Sequence, residues 1–166
     1  WKDADQKPVQ VAVFSNGDEV ELIQNGTSVG KLTSGTRLAA ELPHSFLFDL
    51  TYLPGTLEAV SYKDGKEISR DTLVTTGPAK ELRLIQEKKE LSANGHEVAY
   101  VRVEIVDENG IVVPDAALRL SAAVEGVGSL AAFGSSNPIT DENYTSGTFT
   151  SYHGTATAII RSGYQT

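Results

Sequence analysis

Along most of the chain apolar and polar residues alternate with a period of two, the pattern of extended segments that bury one face and hydrate the other. In the first half Val9, Val11 and Val13 share a side, and Val20 and Leu22 alternate with Glu19 and Glu21. Residues 28–32 continue the pattern with Gly30 inside, which predicts a bulge. Phe46, Phe48 and Leu50 alternate with Leu47 and Asp49, and residues 57–62 and 68–75 supply two more strands. The second half predicts strands at 82–86, 101–106, 111–113, 129–133, 149–152 and 155–161. Residues 117–125 also alternate, with Leu118, Leu120, Ala122 and Val124 on one side, although so alanine-rich a run also suits a helix. No amphipathic helix of ten residues stands out.

Turn residues punctuate these segments. Asn16-Gly17, Asn25-Gly26, Asp64-Gly65 and Asn109-Gly110 are each predicted to close a two-residue hairpin, because both central positions of such turns favour positive φ. The last of them would fold residues 111–113 back on the strand around Val103 and Ile105, leaving Arg102 and Glu104 on the polar side. Residues 1–8 lack periodicity and read as a linker, while 35–43 and 134–146 read as loops. Gly77-Pro78 separates two strand-rich blocks, since proline cannot donate to a ladder. Short strands with glycine-rich turns therefore predict an all-β chain of two tandem antiparallel Ig-like β-sandwiches, residues 1–77 and 78–166.

Composition narrows the partners. The net charge is −8, and each side of Gly77-Pro78 carries 7 bases against 11 acids, so neither half concentrates the positive charge that a nucleic-acid backbone requires. With no cysteine, neither disulfides nor thiolate metal sites are available, and no cofactor is expected. No run approaches 18 apolar residues, so no membrane partner is expected. The absence of methionine suggests a piece of a longer protein.

Candidate chemistry is sparse. His44, His96 and His153 are too dispersed for paired zinc-ligand spacing, and no G-x-S-x-G elbow accompanies them. Asp107, Glu108 and Asp115, or Asp141 and Glu142, could in principle supply paired carboxylates, but acids also gather in turns to bond their own backbone. Asp107-Glu108-Asn109-Gly110 lacks the alternating ligands and distal glutamate of an EF-hand. The remaining candidate is carbohydrate contact: exposed rings suit the C–H face of a pyranose, and long loops often carry function. Tyr144, Tyr152 and His153 lie in or beside the long loop, with Asn137, Asp141 and Asn143 as hydrogen-bonding partners.

Two stretches resemble a known family. VAVFSNGDEVELIQNGTSVGK (11–31) and YLPGTLEAVSYKDGKEISRDTLVTTG (52–77) resemble the small β-sandwich that follows the catalytic barrel of bacterial family 2 glycoside hydrolases of the β-galactosidase type. VRVEIVDENGIVVPDA (101–116), VEGVGSL (124–130) and HGTATAIIRSG (153–163) are similar to a further C-terminal Ig-like sandwich of the same enzymes. The last domain of that family often has a Gly-Asn-Gly-Asp turn where FGSSNP (133–138) stands here. The resemblance implies a non-catalytic accessory region whose partner is the parent's catalytic barrel, of about 250 residues, where two glutamates do the chemistry. It also suggests a periplasmic or extracellular setting, with a cytoplasmic one left open. Two other readings stay open: an Ig-like stalk or adhesin fragment of a bacterial surface protein, and an independent carbohydrate-binding module.

Overall fold

The computed structural model describes residues 5–34 and 44–164, so the predicted loop 35–43 and the first four residues of the predicted linker lie outside the described residues. Backbone contacts divide the chain into two compact units, Trp1–Thr75 and Thr76–Thr166. Among the described residues each is built from antiparallel strands, without a helix.

The first unit contains β1 (Pro8–Phe14), β2 (Glu19–Gln24), β3 (Thr27–Thr33), β4 (Ser45–Thr51), β5 (Thr56–Lys63) and β6 (Lys66–Val74). β1 and β4 form one sheet, and the order β3-β2-β5-β6 forms the other. Alternation sends Val20 and Leu22 from the larger sheet and Phe46 and Phe48 from the smaller one into a shared core, flanked by Val11, Val13, Leu50 and Leu57. Each such side chain, once buried, contributes about 1.5–3 kcal/mol. On the outer face, Lys31 pairs with Glu19 at 2.8 Å and lies over the Tyr62 ring, while Arg70 bridges Glu58 and Glu67. Val60, directly opposite Glu21 and Arg70 in the sheet, is fully buried.

Two of the four predicted hairpin turns form as expected. Asn25 and Gly26 have φ of 50° and 79°, and Asp64 and Gly65 have 50° and 73°, so both pairs make the turn that matches strand twist. The predicted irregularity at Gly30 is a register shift opposite Leu22 and Ile23. Asn16-Gly17 behaves differently, because neither residue takes positive φ. Instead of folding β2 back on β1, the chain crosses to the other sheet: β1 pairs with β4, Val13 opposite Phe46, and β2 pairs with β3 and β5. Ser15 secures this corner by donating its N–H to His44 O (2.9 Å) and accepting from Gly17 N–H (3.0 Å). The described end of the predicted linker is also partly ordered into the sheet, with Gln6 N–H donating to Tyr52 O and β1 beginning at Pro8.

The second unit contains β7 (Glu81–Gln86), β8 (Val98–Val106), β9 (Arg119–Ser121), β10 (Ser129–Gly134), β11 (Thr148–Thr150) and β12 (Thr155–Arg161). Its sheets run β10-β12-β8-β7 and β11-β9. Val103, Ala156 and Ala158 meet Phe133 and Phe149 in the main core, while Ile105, Val113 and Ala116 form an adjoining cluster. Asn109-Gly110 does turn the chain, yet residues 111–113 give only a single bridge, Val112 to Val106. The reason is topological: β12 occupies that edge of β8 up to Glu104, so the returning arm finds only its end free, where Val113 N–H donates to Ile105 O and Asp107 N–H to Ile111 O (both 2.9 Å). The run 117–125 is a strand only over Arg119–Ser121, with Leu118 exposed. The predicted strand at 149–152 is Thr148–Thr150, after which Tyr152 enters a turn with Thr155. Glu104, expected to face water, is buried beneath Arg83 and Arg102, whose guanidinium groups lie 2.6 and 2.9 Å from its two oxygens.

Candidate functional site

The connection between β10 and β11 carries four of the six candidate carbohydrate-contact residues. Its middle is tied to β10 by Phe133 N–H, which donates to Tyr144 O at 2.8 Å. The Tyr144 ring lies against Phe149 with centroids 4.7 Å apart and planes 30° from parallel. Its other contact is Gly134, where a side chain of any size would collide with the ring. Tyr144 thus forms a half-exposed aromatic surface supported from below by the core. Around it the polar candidates serve the loop. Asn137 Oδ1 accepts from Ile139 N–H (3.0 Å), and Asn143 Oδ1 accepts from Thr145 N–H and Oγ1 (both 2.9 Å). Asp141 is exposed.

Tyr152 and His153 occupy a different connection, the tight turn between β11 and β12. Their rings meet edge-on at 4.1 Å, and Tyr152 and Thr155 exchange backbone hydrogen bonds of 2.9 and 3.0 Å. His153 sits at φ 49°, immediately before buried Gly154.

Glu142, which the sequence offered only as half of a carboxylate pair with Asp141, instead fixes the long loop. Its carboxylate accepts from Thr150 N–H and Oγ1 (3.1 Å each) and pairs with Arg119 Nη1 (3.1 Å). These partners lie 8 and 23 positions away, so no local spacing announces the role.

Of the other candidate acids Glu108 and Asp115 are exposed, whereas Asp107 has a structural duty. Asp107 is buried and accepts N–H groups from Gly77 (2.8 Å), Asn109 (2.9 Å) and Ile111 (3.0 Å). These donors hold its carboxyl below the usual range: Gly77 contributes most, then Ile111, with desolvation opposing and Asn109 adding to the effect. With both oxygens engaged by N–H donors, the carboxylate organises the turn in place of a cation. Among the described residues no group of three or more His, Asp and Glu is placed to hold a metal ion. Nor is any helix among them long and apolar enough to cross a membrane.

The described residues thus place the chain among all-β proteins built from antiparallel sheets. Residues 82–166 match the family described as glycoside hydrolase family 2 C-terminal domain 5, and residues 6–69 match one described only as a domain of unknown function (DUF4982). The chain belongs to the first of these families and corresponds to the C-terminal part of family 2 glycoside hydrolases. It is 28% identical to a β-galactosidase of Bacteroides ovatus, covering 89% of this chain and 17% of that protein. It is 33% identical to a β-galactosidase of Thermoanaerobacter pseudethanolicus over 80% of this chain and 19% of the relative. A crystal structure of a family 2 glycosyl hydrolase from Bacteroides cellulosilyticus superposes with a TM-score of 0.93 at 29% identity, covering 99% of this chain and 21% of that one. The chain therefore spans about a fifth of the length of these relatives.

Proposed function

We propose that these 166 residues are a non-catalytic accessory region of a β-galactosidase-like glycoside hydrolase, serving to support and position its catalytic barrel. The observation that carries this reading is the family 2 C-terminal match over residues 82–166, together with relatives whose remaining length greatly exceeds this chain. The local chemistry supports it: Glu104, Asp107 and Glu142 spend their oxygens on arginine and backbone donors, whereas glycoside hydrolysis needs two carboxyl groups free to face one sugar bond.

The reading extends to weak carbohydrate contact at the loop between β10 and β11. Tyr144 would supply the stacking face, with Asp141 as the exposed polar neighbour. Tyr152 and His153 would belong to a second, separate contact. Truncation of the parent enzyme tests the accessory role: removing this region should lower the parent's thermal stability or its kcat/KM on a nitrophenyl galactoside. If both were unchanged, the positioning role would be wrong. Titration of the 166 residues with millimolar galactosides tests the contact, and flat heats that Tyr144→Ala does not alter would dismiss it.

A further inference from the structure

Among the described residues of the first unit the sandwich is uneven: the four-stranded sheet is faced by two strands, and inward-pointing residues of β5 and β6 extend past the edge of β1. The result is a cleft of about 350 Å³, floored by Leu57, Ala59, Ser61 and Leu73 and walled along one side by residues 11–14 of β1 and by Ser15. Leu73 stays 58% exposed although it lies directly opposite core-packed Leu57.

The two strand edges beside this cleft differ. In the β1–β4 ladder, Ser15 N–H donates to His44 O and Lys7 O accepts from Tyr52 N–H, both at 2.9 Å. The register between them is unbroken. Antiparallel alternation therefore turns the polar groups of the odd-numbered residues toward β4, and those of Gln10, Ala12 and Phe14 toward the cleft. On β6, Thr75 N–H donates to Gly55 O, so Arg70, Thr72 and Val74 face the open edge. There Asp71 Oδ1 already accepts Thr72 N–H at 2.9 Å, which blunts that edge against pairing. The edge of β1 has no such guard among the described residues. Arg70 is engaged by Glu58 and Glu67, so Asp71 is the charge left facing the cleft.

We infer that this cleft receives an extended segment of the parent polypeptide from outside these 166 residues, added as a third strand alongside β1. Strands pair about 4.7–4.9 Å apart, so the added strand would lie over β6 and cover its inward face. Its side chains would alternate, with an aliphatic residue over Leu57 and Leu73 and a lysine or arginine near Asp71. The occupant comes from the parent because more than four-fifths of the β-galactosidase relatives lies outside the matched region. A tethered segment competes at millimolar effective concentration. A second copy of this chain fits less well, since each copy carries −8 and would bring acid to Asp71. The inference rests on the accessory reading above.

The test compares amide hydrogen exchange in the 166-residue chain and in the full polypeptide that carries it. Ala12 and Phe14 should exchange rapidly in the former and at least about 100-fold more slowly in the latter, with Val11 and Val13 slow in both. Leu73→Lys, at an exposed position, should leave the isolated chain folded and return Ala12 and Phe14 to fast exchange in the full polypeptide. Equal, fast exchange of Ala12 and Phe14 in a hydrolytically active full polypeptide would overturn the inference and leave the accessory reading intact. A parent gene without a catalytic barrel would overturn both. Protection that appears in the isolated chain as it dimerises with concentration would assign the cleft to a second copy and overturn the tethered occupant.

Discussion

Phe149→Ala probes the weakest-looking part of the second unit, where a sheet of two three-residue strands covers a sheet of four. Phe149 is fully buried and packs among Val103, Phe133, Ala156 and Ala158, while Tyr144 lies on its ring. Truncating a buried phenylalanine costs about 3–5 kcal/mol, through lost transfer energy and the cavity left behind. Losing the ring pair with Tyr144 adds about 0.5–1.5 kcal/mol. Against a typical domain stability of about 5–15 kcal/mol, that is a large fraction. For a unit near 90 residues each kcal/mol moves Tm by roughly 4–8 °C, so its transition should fall by roughly 15 °C or more. The proposal that the units unfold separately adds a second expectation: circular dichroism should resolve the lowered transition while Leu22 and Val60 in the first unit keep their exchange protection. A loss under about 1 kcal/mol would refute the packing argument. Parallel loss of protection at Leu22 and Val60 would refute separate unfolding.

Two further outcomes follow from particular contacts. Asp107 has a folded-state pKa depressed by its N–H donors, so its contribution is fully present above the unfolded value of about 3.9 and disappears as pH falls through the lower folded value. Urea titrations of the second unit should therefore lose stability below about pH 4, and Asp107→Asn should flatten that dependence; an unchanged pH profile in the variant would show that the carboxylate is not its source. Gly134→Val should drive the Tyr144 ring off its seat, raising Tyr144 fluorescence quenching by iodide, whereas an unaltered quenching constant would mean that the ring does not depend on this glycine.

Much of the fold was legible because period-two burial is a local signal. Val20, Leu22, Phe46, Phe48, Val103 and Ala156 all point inward as alternation requires. Pairing was less legible, because which strand lies beside which is decided at long range. Asn16-Gly17 and Asn25-Gly26 share the same dipeptide, yet only the second pair adopts positive φ, and the first carries the chain between sheets. Asn109-Gly110 closes only a short return because β12, far along the chain, takes the same edge of β8 up to Glu104. Glu104 looked solvent-facing because its partners, Arg83 on β7 and Arg102 on its own strand, close over it only once the sheet forms.

The candidate site divides in the same way. The prominence of the loop between β10 and β11 was readable from its length and its tyrosine, but the support under Tyr144 comes from Gly134 and Phe149, on two different strands. Sequence proximity grouped Tyr152 and His153 with that loop, whereas they belong to the following turn. Glu142 was read only as half of a carboxylate pair, because Thr150 and Arg119 reach it only through the pairing of β9 with β11.

In the proposed function this region carries no hydrolytic chemistry of its own and serves a larger enzyme that does. The decisive measurement is release of nitrophenol from a nitrophenyl β-galactoside by the purified 166 residues and by the full polypeptide under the same conditions. Turnover by the full polypeptide alone is the predicted result; sustained turnover by the 166 residues, or none by the full polypeptide on any β-glycoside, would contradict it.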